Sequence, residues 1–158
     1  MPPMSLAFKV WNQLSNKPAG KWTFSKLMCL RIPYFSSISP QFEELKADYC
    51  QVKVKKHRAI LNHIGTVHAI VMCNLAELAG GTMTDVAVPS THRWIPKGMT
   101  VEYIKKAETD LIGIATPVKA NFDWDKDHEF LVNIEVRNTA NEKVFNAVIT
   151  MWVSKKRA

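Results

Sequence analysis

The chain has 158 residues, 47% of them hydrophobic and 22% charged, and a formal charge of +7. That length favours one domain, 1–158, around one hydrophobic core, and the composition excludes a disordered or fibrous chain. No apolar run reaches the roughly 20 residues of a membrane helix, and Met1-Pro2-Pro3-Met4-Ser5 lacks the cationic start and apolar stretch of a secretory signal, so a cytoplasmic location is expected.

In chain order, residues 4–15 predict a short amphipathic helix with Leu6, Val10, Trp11 and Leu14 on one face. Asn16-Lys17-Pro18-Ala19-Gly20 breaks it. A further turn or two of helix is expected near Ser25–Arg31, stopping at Pro33, with a loop over Ile38–Pro40. Across Asp48–Lys56, Val52 and Val54 alternate with Lys53 and Lys55, the period of a half-buried strand. Arg58–His68 contains Asn62 and Gly65 and is expected to be a loop. Val67–Gly81 is almost wholly apolar or small and predicts a buried helix that stops at Gly80-Gly81. Strands are expected at about 91–95, 99–107, 111–121 and 129–137, the last pairing across Asn138–Lys143 with 144–155. Strand, buried helix, then a run of antiparallel strands is an α+β plan in which a sheet wraps one helix.

The three cysteines, Cys29, Cys50 and Cys73, are odd in number, form no CxxC and have apolar neighbours. Free thiols are expected, and no His/Cys cluster has the spacing of metal ligands. A basic surface attracts phosphates of any source. Nucleic-acid binding is not expected, because no recognition motif is present and the basic strand positions lack interleaved aromatics.

Glu77 is the most informative residue. It lies between Leu75-Ala76 and Leu78-Ala79, in a helix with no charged face, where a carboxylate is costly to bury. A solvent-reaching or lysine-paired glutamate is the ordinary alternative, and a functional acid is favoured. Asn74, one turn earlier, shares its face and reads rather as a core amide that satisfies a backbone group. Thr66 is expected to cap the helix, leaving unpaired N–H groups near His68 and Ala69 that suit a carbonyl oxygen. Gly65 lets backbone approach a ligand, or simply serves the turn. His68 and Glu77 are nine positions apart and face opposite sides, so a site using both needs two copies of the chain.

The string Asn62-His63-Ile64-Gly65-Thr66-Val67-His68-Ala69, followed by Leu75-Ala76-Glu77, resembles hotdog-fold thioesterases of the phenylacetyl-CoA thioesterase type. That family carries an Asn, a Gly-containing loop, His-Gly-Gly, and an acid nine residues after the His. The resemblance covers roughly 40–155 and implies a hotdog core over 40–158, preceded by a helical extension over 1–39. It implies that Glu77 serves as general base or nucleophile and that Asn62 positions water or acyl group. The backbone at His68, Ala69 and Gly65 would then polarise the thioester carbonyl. Ala69 replaces the family's first Gly, a form similar to that of an uncharacterised subgroup. No hydroxyl is in register in Ile95-Pro96-Lys97, where some members hold the attacking water. Arg58, Arg93 and Lys97 are candidates for coenzyme A phosphates, each against the alternative of a solvated basic face. The expected function is hydrolysis of an acyl-CoA thioester by a homodimer or tetramer, with no cofactor beyond the coenzyme A of the substrate. A non-catalytic acyl-CoA-binding protein is the alternative.

Overall fold

A computed structural model describes residues 5–119 and 122–156. Met1–Met4, which bear on a secretory signal and include the first residue of the expected helix 4–15, lie outside the described residues. So do 120–121, at the end of the strand expected over 111–121.

Helix α1 (Leu6–Leu14) starts where Ser5 Oγ accepts from the Phe8 N–H at 3.2 Å. Trp11 is buried and Val10 and Leu14 are half-buried, but Leu6, expected on the same face, is exposed. Helix α2 (Gly20–Arg31) begins five residues before the expected Ser25. Its apolar side chains form no single stripe, so periodicity underestimates it. Pro33 opens a 3-10 helix, Pro33–Ile38, where a stop and a loop are expected; proline is tolerated at a first helical position. Trp11, Phe24 and Phe42 stack edge to face at 5.1 Å each, which ties α1 and α2 to the sheet. The Ser25 hydroxyl adds a bond, accepting from the Phe42 N–H at 2.8 Å.

The sheet has six strands, all paired antiparallel. They are β1 (Pro40–Lys46), β2 (Tyr49–Val54), β3 (His92–Tyr103), β4 (Leu111–Pro117), β5 (His128–Arg137) and β6 (Lys143–Lys155), in spatial order β1-β2-β4-β5-β6-β3. β1 escapes the pattern because a register shift between Phe42 and Glu44 interrupts its alternation. The segments expected as separate strands at 91–95 and 99–107 are one strand, β3. Lys97 is an extra residue between Pro96, opposite Met151, and Gly98, opposite Thr150. A proline has no N–H for the ladder, and the bulge accommodates it. Residues 104–107 lie beyond the strand.

Helix α3 (Ala69–Ala87) crosses the inner face and touches all six strands. It does not stop at Gly80-Gly81. Both glycines are buried contact points: a Cβ at Gly80 would lie 3.0 Å from Ile149 Cδ1, and one at Gly81 3.3 Å from the Trp94 ring. Close packing outweighs the helix-breaking tendency of the pair. The helix ends at Val88, whose N–H reaches the Thr84 carbonyl, just before Pro89. Val71, Met72, Leu75, Ala76, Leu78, Ala79 and Met83 join the same core cluster as Val52, Ala115, Ile134, Ala147 and Ile149. This antiparallel sheet wrapped on one long helix is the hotdog arrangement expected from the sequence.

Candidate functional site

The site begins with the loop before α3. Asn62 Oδ1 accepts from the Ile64 and Thr66 N–H groups, both at 3.1 Å, and its amide donates to Thr66 Oγ1 at 2.8 Å. Three of its four hydrogen-bonding capacities are thus spent on the loop. Gly65 takes φ +79°, and a Cβ there would meet nothing within 4 Å, so its role here is the left-handed turn. Isolated pairing of Leu61 with Val67 closes the loop at its base.

The cap of α3 is His68, not Thr66 as expected. Its Nδ1 accepts from the Ile70 N–H at 3.1 Å, and its carbonyl accepts from the Val71 N–H at 3.0 Å. The Thr66 hydroxyl is held by Asn62 and does not reach the helix. Among the described residues the Ala69 N–H meets no acceptor. It sits at the positive end of the helix dipole and borders a shallow cavity lined by Asn62, Thr66, Met72, Tyr103 and Lys105.

Helix α3 is not apolar all round. Ile70, 51% exposed, and Glu77 face outward, with Cys73 and Asn74 half-buried between them. These four residues fall at helical spacing and form one stripe. Glu77, expected to be buried, is therefore an exposed carboxylate at the end of that stripe. Asn74 Oδ1 accepts from the Tyr34 hydroxyl at 3.2 Å, so its partner is a side chain of the 3-10 helix and not backbone. The Cys73 thiol lies 3.3 Å from the Tyr103 hydroxyl. That hydrogen bond, and then burial, hold the Tyr103 phenol above its ordinary value.

Beside the stripe runs β3, an edge strand whose outer backbone has no partner among the described strands. It exposes Ile95, at 61%, Met99 and Tyr103. An exposed edge with apolar side chains is what a second sheet edge pairs with.

The expected site residues are not all together within one chain. Ala69 and Glu77 are eight residues apart along α3, about 12 Å of axial rise. Arg58 is exposed on a single 3-10 turn, Arg58–Ile60, joined to the helix start by the His68 N–H to Ile60 carbonyl bond at 2.9 Å. Arg93 lies toward the other end of α3, and its Nε donates to Ser154 Oγ at 3.1 Å. Lys97 is paired with Glu129 at 3.0 Å and covers the Trp152 ring at 5.1 Å, so its charge is already partnered.

One cavity escaped the sequence. It has a volume of about 340 Å³, is lined mostly by apolar groups, and lies between α3, β3 and the N-terminal helices. Glu77 and Asp85 are the first and last α3 residues on its wall, and Arg31 of α2 also lines it. Assuming a helix stop at Gly80-Gly81 removes Asp85 from consideration, and no periodic signal marks α2 as a wall.

Of the thiols, Cys50 is fully buried, and burial pushes it far above the ordinary range. Cys29 is half-buried and is also raised by burial, with Lys26 opposing. No helix among the described residues is long and apolar enough to cross a membrane.

Comparison with known proteins places these features. The model of a family described as a domain of unknown function, DUF4442, matches residues 20–153, which takes in α2 as well as the sheet and α3. A crystal structure from a genomics programme is similar at 44% identity, with a TM-score of 0.82, over 95% of this chain and 98% of that one. A Haemophilus influenzae thioesterase is similar in fold at 14% identity and TM-score 0.68, over 77% of this chain and 82% of that one. A hypothetical thioesterase from Streptococcus pneumoniae, in a structure with coenzyme A, is similar at 16% identity and TM-score 0.68, over 82% and 99%. No curated protein matches the chain.

Proposed function

The chain belongs to the DUF4442 family, and from that membership and its hotdog fold we propose that it hydrolyses acyl-CoA thioesters at a site shared by two copies of the chain. The observation that carries the reading is the uncommitted Ala69 N–H at the start of α3, on the same helix as the exposed Glu77 but about 12 Å from it. A carbonyl must sit about 3 Å from both its oxyanion donor and its attacking group, so one chain does not supply both. Two-fold pairing of β3 edges would run two α3 helices in opposite directions and bring the start of one toward Glu77 of the other. Lys97 in the bulge and the exposed apolar residues of β3 would then be covered.

In the chemistry, Glu77 of one copy takes a proton from water. The water oxygen bonds to the thioester carbon while the Ala69 N–H of the other copy stabilises the developing oxyanion. Collapse of the tetrahedral intermediate breaks the C–S bond, and the coenzyme A thiolate leaves and takes up a proton. Asn62 acts through the loop it braces, with His68 and Gly65 setting the backbone path into Ala69. Of the three expected cations, Arg58 is the one tied to the helix start, through the His68–Ile60 bond, and suits a phosphate of coenzyme A; Arg93 and Lys97 stand further along the strand. The solved Streptococcus pneumoniae neighbour with coenzyme A supports that ligand class.

The test is thiol release from short, medium, long and aromatic acyl-CoAs. Glu77→Gln keeps the shape and is expected to lower turnover on the order of 100- to 10,000-fold. Turnover unchanged in Glu77→Gln removes Glu77 from the mechanism. No turnover by the wild type on any substrate favours the non-catalytic acyl-binding alternative.

A further inference from the structure

The cavity between α3, β3 and the N-terminal helices has features that hydrolysis alone does not require. Its wall combines Ala7 of α1, Met28 of α2 and Phe35 of the 3-10 helix with Leu78, Gly81, Trp94 and Met151 of the hotdog core. Glu77 stands at one end, and Arg31 and Asp85 stand at the other. Arg31 and Asp85 also line a second, more polar cavity beyond, together with His92, Arg93 and Lys156. An apolar space that has the candidate base at one end and charged side chains at the other has a direction and a stop.

We infer that this cavity holds the acyl chain and sets its length, taking a saturated acyl group of roughly eight to twelve carbons. The inference rests on the shared-site reading, which puts the thioester carbonyl at Glu77. Two measures of the space agree. From Glu77 to Asp85 the helix rises about 12 Å. An extended alkyl chain advances about 1.25 Å per bond, given C–C bonds of about 1.5 Å at tetrahedral angles, so the span fits roughly ten carbons. By volume, a cavity of about 150 Å³ accommodates the six carbons of benzene, and 340 Å³ is a little over twice that. A longer chain would press its methyl end against Arg31 and Asp85, whose desolvation opposes it. A shorter one would leave apolar wall uncovered. Gly81 is the narrow point, since a Cβ there would already lie 3.3 Å from the Trp94 ring. The N-terminal helices thereby become the specificity wall of the site.

The experiment is calorimetric titration of the wild-type protein with three non-hydrolysable thioethers, hexyl-, decyl- and hexadecyl-CoA, repeated with Ala7→Trp and Met28→Trp. These two variants fill the cavity from different helices, and circular dichroism checks that each folds. Decyl-CoA is expected to bind on the order of 200-fold more tightly than hexyl-CoA, because four more methylenes leave water. Hexadecyl-CoA should gain nothing over decyl-CoA. In either variant that folds, the preference should move to hexyl-CoA. Affinity that is independent of chain length, no binding of any thioether, or folded variants with the wild-type profile would overturn the inference. The readout separates the two claims. Decanoyl-CoA turnover that depends on Glu77, with a profile unmoved by either substitution, would keep the catalytic reading and discard the pocket. The expected thioether profile without any turnover would keep the pocket and discard catalysis.

Discussion

A complementation experiment tests whether the site is divided between two chains. Ala69 is the first residue of α3, and His68 before it has φ −60° and ψ 139°, a conformation that a following proline accepts. Ala69→Pro therefore deletes the N–H at a position where proline is tolerated and leaves the helix intact. Loss of one oxyanion donor costs on the order of 100- to 1,000-fold in turnover. Glu77→Gln removes the base from the other half of the same site. On the shared-site reading, each variant alone is a dimer with two damaged sites. Equal mixing with free exchange makes about half of the dimers mixed, and in each of those one site carries both lesions while the other carries neither. Activity should return to about a quarter of the wild-type value, far above either parent. The assay is thiol release from an acyl-CoA, with native mass spectrometry of differently tagged chains to measure the mixed fraction. Mixed dimers at their expected abundance without recovered activity would refute a shared site.

Three further outcomes follow from the packing and electrostatics. Leu75 is fully buried, and a Cβ at Gly113 would lie 2.6 Å from its Cγ, so Leu75→Ala and Gly113→Ala should each lose stability, by about 2–5 and 1–3 kcal/mol. The double variant should lose less than their sum, because the added methyl enters the vacated space, and additive losses in urea melts would contradict this. Asp110 accepts from the Lys56 N–H at 2.9 Å and faces Lys53, and the first of these chiefly holds its carboxyl below the ordinary 3.8. A depressed folded value means stability that is full above the unfolded value and lost as pH falls through the folded one. Asp110→Asn should accordingly cost about 1 kcal/mol at neutral pH, with the gap closing below about pH 4 in thermal melts; a gap that persists in acid would refute it. Asn62→Ala should lower the melting temperature, while Asn62→Asp, which keeps the two backbone acceptor bonds, should largely restore it; equal melting temperatures for both would deny the loop-bracing role.

The plan of a sheet wrapped on one helix was legible because α3 contains an almost unbroken run of apolar and small residues and the last strands alternate strictly, and the resemblance added the hotdog family. Phe130, Val132, Ile134 and Val136 of β5 all point to the core, as do Phe145, Ala147, Ile149, Met151 and Val153 of β6. What was lost had local irregularities that cancel the period, such as the Phe42–Glu44 shift in β1 and the extra Lys97 in β3. The Gly80-Gly81 pair misleads because its meaning is tertiary: small residues at a packed crossing look the same in sequence as a helix stop. At the site, the identities of Asn62, His68, Ala69 and Glu77 are visible, but their uses are not. The bracing of the loop by Asn62 and the choice of His68 over Thr66 as cap turn on local backbone geometry that residue types do not fix, and whether Glu77 is buried depends on neighbours far along the chain. The cavity wall from α1 and α2 is invisible for the same reason.

The tight seat of α3 also limits how the chain can vary in length. Gly113 under Leu75 and Gly80 under Ile149 and Ile134 fix the helix azimuth at two points. One residue inserted between Ala69 and Leu75 would turn the helix start by about 100° relative to Glu77, or unseat the bulk of the core. Length changes in this stretch are thus confined to the loop before His68, whereas the helix beyond Thr84 can gain or lose a residue without disturbing the part that carries Ala69 and Glu77. Related chains should accordingly show insertions and deletions in His57–Gly65 and after Thr84, and a constant number of residues between the capping histidine and the acid.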